Sequence, residues 1–487
     1  MMKDRTSGHG FDIALIAIFG VAVHSFYLSV APVFFHNDSV GYLHAAFTFL
    51  GTGSLDGLEG VRTPGYPLFL SAILALFGFS ATTILLAQHA LIVFLAAIVT
   101  SVSRRIGPRS VSLAAGMFVA VDPVLAFYGN WILSEVLFAF IITLAGAATM
   151  QSREGAPTAG AAGFLFGIAA LVRPAGLVAA AASVAVLLLQ TIFRRTPFKS
   201  GVLAVLVFAV GLAISTAPWL IYRYSTTGTW TFIDSNSGFL QVQMLLHHGD
   251  FDEQLIADPL AKEAYEQTVV DRLVTPEGER PYQPGFAFQF QKHLQAAFGN
   301  AGASQWFDDY FSRYQDAHAD KLASQRLSTF LGLLHLGPLP PFTPEAANAQ
   351  LDGVLSKETL ARSITSDARI RAFLLKRPEP HAPAARRWKL MLHYLHQWRP
   401  ALAITLYVLT LLAGIRVLFS RNGNLLLFTP IAIFLSQAAA YAWLLHPDDR
   451  YVYVLNPLLV LQGGVALSIL LDRAARWRLS HDNAGER

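Results

Sequence analysis

Residues 66–80 read Tyr66-Pro-Leu-Phe-Leu-Ser-Ala-Ile-Leu-Ala-Leu-Phe-Gly-Phe-Ser80. A transmembrane helix needs about 20 apolar residues, so this run, opened by Pro67 and followed by a Gly/Ser break, has the length of an interfacial or re-entrant segment. Ten other apolar runs are long enough to span, near 11–32, 84–103, 110–128, 131–150, 158–172, 175–193, 201–222, 400–418, 424–444 and 452–472. If 66–80 stays on one side, the basic clusters around Lys3, Arg104, Arg153, Arg194, Arg416 and Arg473 share the cytoplasmic side. The short outer loops then keep only Arg62, Arg173 and Arg450. If it crossed, the clusters after Ser103 would face outward, against the positive-inside rule. The predicted fold is an all-α polytopic membrane protein. About ten helices cross, both termini are cytoplasmic, and 66–80 lies against the outer surface.

Composition agrees with this reading. Of 487 residues, 54% are hydrophobic and 14% charged, too few charges to cover a soluble protein of this size. The net charge of +4, without a dense basic stripe, argues against a nucleic-acid partner. The absence of cysteine removes disulfides, thiolate metal sites and cysteine nucleophiles. Neither kind of Gly-rich nucleotide-binding loop is present, which argues against a nucleotide-driven pump. Lys3 and Arg5 precede the first apolar run with no small-residue cleavage site after it, so that run is expected to be an uncleaved span.

The chain divides into residues 1–222, a transmembrane module with its first outer loop at 33–83; residues 223–399, an outer loop domain; and residues 400–487, the last spans and a tail. The middle segment is too long to be a structureless connection. Gln305 to Tyr314 carries Trp306, Phe307, Tyr310, Phe311 and Tyr314 at helical spacing, a pattern expected of a packing face. The Pro-rich stretch Gly337 to Pro344 breaks this domain in two.

The unusual polar residues collect on the outer side. Asp38 and Arg62 lie in the first outer loop, Asp122 and Tyr128 precede the fourth span, and Ser134-Glu135 sits about one turn inside it. Arg173-Pro174 joins two apolar segments, and His446, Asp448, Asp449, Arg450 and Tyr451 form the last outer turn. Ionisable groups at membrane depth cost about 2.5–3.5 kcal/mol each, which marks them as candidates for function. Structural alternatives stand beside this. Glu135 could hydrogen-bond a neighbouring helix, Arg173 could snorkel, and Arg450 could pair with Asp448 or Asp449. His36, His446, Asp448 and Asp449 could contact an acceptor or a divalent cation such as Mg or Mn.

In the first loop, Phe34-Phe-His36-Asn37-Asp38-Ser39-Val-Gly-Tyr42-Leu43 predicts a helix with Asp38, Tyr42, Ala45 and Phe49 on one face and Gly51 or Gly53 as its stop. Asn37, Asp38 or Ser39 could cap it, and a cap needs no chemistry of its own. A carboxylate can also take a proton from an attacking hydroxyl, and arginines can hold a departing phosphate through forked hydrogen bonds. Apolar spans beside them can take a lipid tail. Together these suit glycosyl transfer from a lipid-phosphate sugar.

Asn37-Asp38-Ser-Val-Gly-Tyr-Leu, Arg62-Thr-Pro-Gly-Tyr66-Pro, Leu-Ser134-Glu135-Val-Leu-Phe, Leu-Val-Arg173-Pro-Ala-Gly and Asp449-Arg450-Tyr451, in that order, resemble the GT-C superfamily of integral-membrane glycosyltransferases. The branch is the bacterial polyprenyl-phosphate-dependent one, similar to protein O-mannosyltransferases and lipid A aminoarabinose transferases. The resemblance covers roughly the first 220 residues and the last 90. It implies a GT-C-like bundle with a periplasmic loop domain in the bacterial inner membrane, and an active site facing the periplasm. It implies Asp38 as general base and Glu135 as the second acid. Arg62, Tyr66, Arg173, Arg450 and Tyr451 would contact the donor phosphate or lipid. The implied partners are a polyprenyl-phospho-sugar and a cell-envelope glycan, lipid or protein acceptor. Relatives often carry two adjacent acids in the first loop, whereas Asp38 stands between Asn37 and Ser39, which leaves metal use open. The alternatives are a lipid-linked glycan flippase, which would need polar groups through the membrane midplane, and a ligase or polymerase using a diphosphate-linked glycan.

Overall fold

The computed structural model describes residues 8–31, 33–58, 62–152, 155–193, 196–233, 237–273, 284–334, 368–375, 399–420, 424–445, 452 and 455–485. Every apolar run folds as helix. Those long and apolar enough to cross a membrane are α1 (His9–Val30), α4 (Ala81–Ile106), α10 (Phe198–Thr227), Pro400–Leu418 and Leu425–Trp443. α5 (Arg109–Val121) and α6 (Pro123–Gly129), bent by 41°, together make a sixth. α3 (Gly65–Phe77), α7 (Glu135–Met150), α8 (Ala156–Val172), α9 (Gly176–Ile192) and Asn456–Leu471 are apolar but shorter. Among the described residues, five or six of the expected ten spans are long enough, and four more are helices of 16 or 17 residues, about 25 Å long against about 30 Å of hydrocarbon. α3, at 13 residues, is about 20 Å long and too short to span alone.

The chain packs into two compact units. The first takes its described residues from Met1–Phe232, His335–Gln437 and Asp449–Arg487. Within it α4 packs on α1, α3, α5, α6 and α7. α7 is apolar and buried nearly all round, as expected of a helix enclosed by others. Asp122 breaks α5 from α6. Its carboxylate accepts from the Val124 and Leu125 N–H groups and from Asn456 Nδ2 at 3.1 Å, so this residue of the outer set is a helix cap. At the other end, Asp12 in the first turn of α1 is 1% exposed and meets Arg109 Nε at 2.7 Å and Arg104 Nε at 3.6 Å. A buried acid thus partly neutralises a cluster that the sequence counts only as positive charge.

α8 and α10 approach at bare backbone. A Cβ on Gly163 would lie 1.9 Å from Phe208 O, and one on Gly211 2.2 Å from Gly160 O. Small residues let two helices come this close where lipid supplies no hydrophobic drive between them. Gly163→Ala is therefore expected to force the helices apart and cost about 1–3 kcal/mol. A thermal melt of the detergent-solubilised variant unchanged from wild type would contradict the packing.

The second unit takes its described residues from Ile233–Leu334 and Ala438–Asp448. Among the described residues it is built of helices: α11 (Ser237–His248), α12 (Pro259–Leu273), α13 (Pro284–Ala317) and α14 (Ala319–Leu334). α13 is interrupted at Gly299, whose φ is +72°, a conformation that suits a residue without Cβ. Trp306, Phe307, Tyr310, Phe311 and Tyr314 all lie in its core with Phe239, Phe290 and Leu445. The aromatic stripe is thus a packing face, as expected from its period. Tyr310 ties in the preceding loop. Its hydroxyl donates to Asp252 O at 3.0 Å and accepts from the Asp252 N–H at 2.9 Å. Its pKa is raised, chiefly by burial. The Pro-rich stretch 337–344 lies outside the described residues.

Candidate active site

α2 (Asn37–Thr52) begins with a reciprocal cap. His36 Nδ1 accepts from the Asp38 N–H at 3.2 Å, and Ser39 Oγ accepts from the His36 N–H at 2.9 Å. His36, not Asn37, Asp38 or Ser39, is the N-cap. Asp38 is thereby released from the structural role that its position suggested. Because Nδ1 accepts, the ring proton belongs on Nε2. Asp38 Oδ2, 3.2 Å from Nδ1, then faces a lone pair and is a neighbour rather than an ion-pair partner. The helix stops at Gly53, with φ +71°, one of the two glycines expected to end it.

Asp38 Oδ1 lies 3.5 Å from Arg62 Nη2, with the two side chains 37% and 18% exposed. Arg62 reaches α2 because the residues after it are anchored. Thr63 Oγ1 donates to Val172 O at 3.0 Å, and a Cβ on Gly65 would lie 2.6 Å from Leu171 O. The same anchor holds the end of α8, where Arg173 Nη1 meets Glu135 Oε1 at 3.0 Å. Glu135 is the first residue of α7 rather than one turn into it. Arg173 does not snorkel away. Its side chain is 14% exposed and pairs with a carboxylate that is 3% exposed.

Tyr42 stands between the two pairs. Its ring faces the Arg62 guanidinium at 5.5 Å and meets Tyr66 edge-on at 4.9 Å, and its hydroxyl is 3.4 Å from Ser134 Oγ. Burial pushes its phenol pKa up, and the charges of Asp38, Arg173 and Glu135 all act on it. Behind Tyr66 stands fully buried Gln88. It accepts from Tyr66 Oη at 2.9 Å and donates to Gly129 O at 3.0 Å and Trp131 O at 2.7 Å. Trp131 stacks on Phe34, and Phe34 N–H donates to Asn130 O at 2.9 Å. The loop carrying Asp38 and the turn leading to Glu135 are thus tied to one amide. Gln88→Leu is expected to cost about 1–3 kcal/mol, mainly by removing the partner of the buried Tyr66 hydroxyl, since Trp131 O keeps the Leu133 N–H. A melt within experimental error of wild type would show that the amide supports nothing.

No family model and no curated protein matches the sequence. Solved structures do match. The archaeal oligosaccharyltransferase AglB from Archaeoglobus fulgidus, in complex with an inhibitory peptide and a dolichol-phosphate, aligns at 15% identity over 99% of this chain and 52% of that chain, with a TM-score of 0.50. ArnT from Cupriavidus metallidurans bound to undecaprenyl phosphate aligns at 12% identity over 94% of this chain and 77% of that one, with a TM-score of 0.38. The Archaeoglobus fulgidus oligosaccharyltransferase complex with Zn and sulfate aligns at 12% identity over 95% of this chain and 49% of that one, with a TM-score of 0.40. The chain shares its fold with AglB. It spans about half the length of AglB, on which that assignment rests.

In this chain the described members of the expected site come together from four segments: Asp38 on α2, Arg62 and Tyr66 at the start of α3, Glu135 on α7, and Arg173 after α8. His446, Asp448, Asp449, Arg450 and Tyr451 lie outside the described residues. Among the described residues, no group of three or more histidines or acids could hold a metal ion. Asp38 offers one carboxylate, and Mg is commonly held by one or two carboxylates with substrate phosphate completing its shell. Three residues of the site were not singled out by the sequence. Gln88 carries a readable signal, a neutral amide in an apolar run. Gly41 and Thr63 carry none, since their contacts come from distant segments.

Proposed function

We propose that this GT-C-type chain is a glycosyltransferase that moves a sugar from a polyprenyl-phosphate donor to an acceptor hydroxyl, with inversion. The observation that carries the reading is the pairing of two carboxylates with two arginines, Asp38 with Arg62 and Glu135 with Arg173, around a single tyrosine. Such a set supplies a base and two anion clamps. AglB, which shares the fold, is described with a dolichol-phosphate, a ligand of the same chemical class as the polyprenyl phosphate that the proposed reaction releases.

In the proposed reaction the acceptor oxygen attacks the anomeric carbon from the face opposite the phosphate. The bond from that carbon to the phosphate oxygen breaks, and its electron pair stays on the phosphate. The acceptor proton passes to the Asp38 carboxylate. The products are the glycosylated acceptor, polyprenyl phosphate and a protonated Asp38, which returns its proton to solvent. Arg62 and Arg173 take up the charge that grows on the phosphate, and Arg450 and Tyr451 are proposed to join them. Placing donor and acceptor and stabilising that charge supply most of the rate, because no covalent intermediate is needed. The second unit is proposed to select the acceptor on the periplasmic side of the bacterial inner membrane. A divalent cation is not required by this chemistry.

The test is mass spectrometry of envelope lipids, polysaccharides and proteins from a strain lacking the gene, complemented with wild type or Asp38→Asn at matched expression. A sugar present only with wild type identifies the transferred unit and its acceptor together. No difference among the strains would count against the transferase, leave the lipid-linked glycan flippase open and call for a transport assay.

A further inference from the structure

The two arginine–carboxylate pairs are built differently. Arg173 and Glu135 meet at 3.0 Å with both side chains largely enclosed. Arg62 and Asp38 are 3.5 Å apart, beyond the roughly 2.7–2.9 Å of a charge-assisted hydrogen bond, and Asp38 is partly open to solvent. The Arg62 guanidinium is nevertheless held. It lies against the bare backbone of α2, where a Cβ on Gly41 would come within 2.3 Å of Cζ and 2.5–2.6 Å of both Nη atoms, with the Tyr42 ring 5.5 Å from Cζ. Glycine and an aromatic ring fix a guanidinium by shape and by the ring's quadrupole. Neither supplies the carboxylate or phosphate oxygens to which its donors are suited. Arg62 is thus held firmly by its neighbours but only loosely by its acid.

We propose that Arg62 is an exchangeable latch: the phosphate on a lipid tail, a diester in the sugar donor and a monoester in the released carrier, takes Arg62 from Asp38, and Gly41 and Tyr42 are the positioning residues that hold Arg62 for the exchange. This inference rests on the donor class proposed above. The consequence is an order of events. While Arg62 sits on Asp38, the carboxylate shares its charge with a cation and is a poorer acceptor for a proton. Once the donor phosphate draws Arg62 away, the carboxylate turns to the acceptor hydroxyl. The lipid donor therefore binds first, and the base acts only when a donor is in place.

The experiment measures binding of undecaprenyl phosphate to the full-length protein in nanodiscs, by native mass spectrometry or tryptophan fluorescence. The variants are wild type, Asp38→Asn, Arg62→Gln, the double variant and Gly41→Ala. Undecaprenol and inorganic phosphate serve as further ligands. The three atoms nearest a methyl at Gly41 all belong to the movable end of Arg62, so Gly41→Ala is expected to displace the latch and keep the fold, which its melt checks. The expected result is that Asp38→Asn binds undecaprenyl phosphate about tenfold more tightly than wild type, a coupling on the scale of contacting residues. Arg62→Gln and Gly41→Ala bind more weakly. In the Arg62→Gln background, Asp38→Asn gives no gain. If Asp38→Asn tightens binding equally with and without Arg62, the effect is charge repulsion and the latch is refuted, while the donor class stands. Unchanged or weaker binding by Asp38→Asn refutes it likewise. If inorganic phosphate shows the same Asp38 dependence as the lipid, the latch answers to a free anion and the ordering by a lipid donor is refuted. If wild type does not bind undecaprenyl phosphate at all, the donor class itself falls, and the latch with it.

Discussion

Replacing Arg173 with methionine is expected to destabilise the protein by about 3–5 kcal/mol, the largest stability effect at this site. The cause is the carboxylate left behind. Glu135 is 3% exposed and meets Arg173 at 3.0 Å, so removing the guanidinium strands a charge where water cannot replace its partner. The companion change Glu135→Gln removes that charge. The double variant Glu135→Gln with Arg173→Met is therefore expected to recover most of the loss, since two neutral groups carry a smaller desolvation penalty than one orphaned ion. Thermal unfolding in detergent, followed by intrinsic fluorescence, reads both. Equal melting points for the single and double variants would mean that the pair carries no coupling.

The second large effect concerns activity. Asp38→Asn is expected to lower sugar transfer by about 100- to 10,000-fold, the range for loss of a general base, while the fold survives. Survival follows from the cap. His36 and Ser39 supply the reciprocal hydrogen bonds at the start of α2. The substitution weakens the interaction of a first-turn acid with the helix dipole, about 0.3–1 kcal/mol, and a loose contact with Arg62, while the cap itself is left in place. A folded Asp38→Asn protein with wild-type turnover would move the base elsewhere, with Glu135 the next carboxylate to examine. Loss of both fold and activity would contradict the assignment of the cap to His36.

The tools of sequence reading reached unevenly into this chain. Apolar runs of 15 to 22 residues are legible because each helix must satisfy its own backbone and show lipid an apolar surface, and each such run is helical in the structure. Their lengths were less legible. Runs such as 131–150 begin before the helix does: Trp131, Ile132 and Leu133 are apolar residues of the turn leading into α7, and a hydropathy window cannot separate a buried turn from a helix. The N-cap of α2 was misread for a related reason. Asn, Asp and Ser lead the capping preferences, and three of them follow a histidine, but the loop from Phe34, fixed by its pairing with Trp131, places His36 at the boundary.

What the sequence by itself determined is the class of fold, the helical stripe of Trp306 to Tyr314, and the chemical types of the site: an acid in the first loop, an Arg-Thr-Pro-Gly turn, an acid opening a span and an arginine between two apolar segments. These follow from local periodicity and from the cost of placing charge near lipid. Only the tertiary structure decided which charges meet. Asp38 with Arg62, Glu135 with Arg173, Asp12 with Arg109 and Tyr66 with Gln88 join positions that share no helical turn. The meeting of Arg62 with Asp38 depends on the room Gly41 leaves for the guanidinium and on the close approach of Gly65 to Leu171 at the end of α8, and a glycine's missing side chain carries no record in the sequence of what will lie against it.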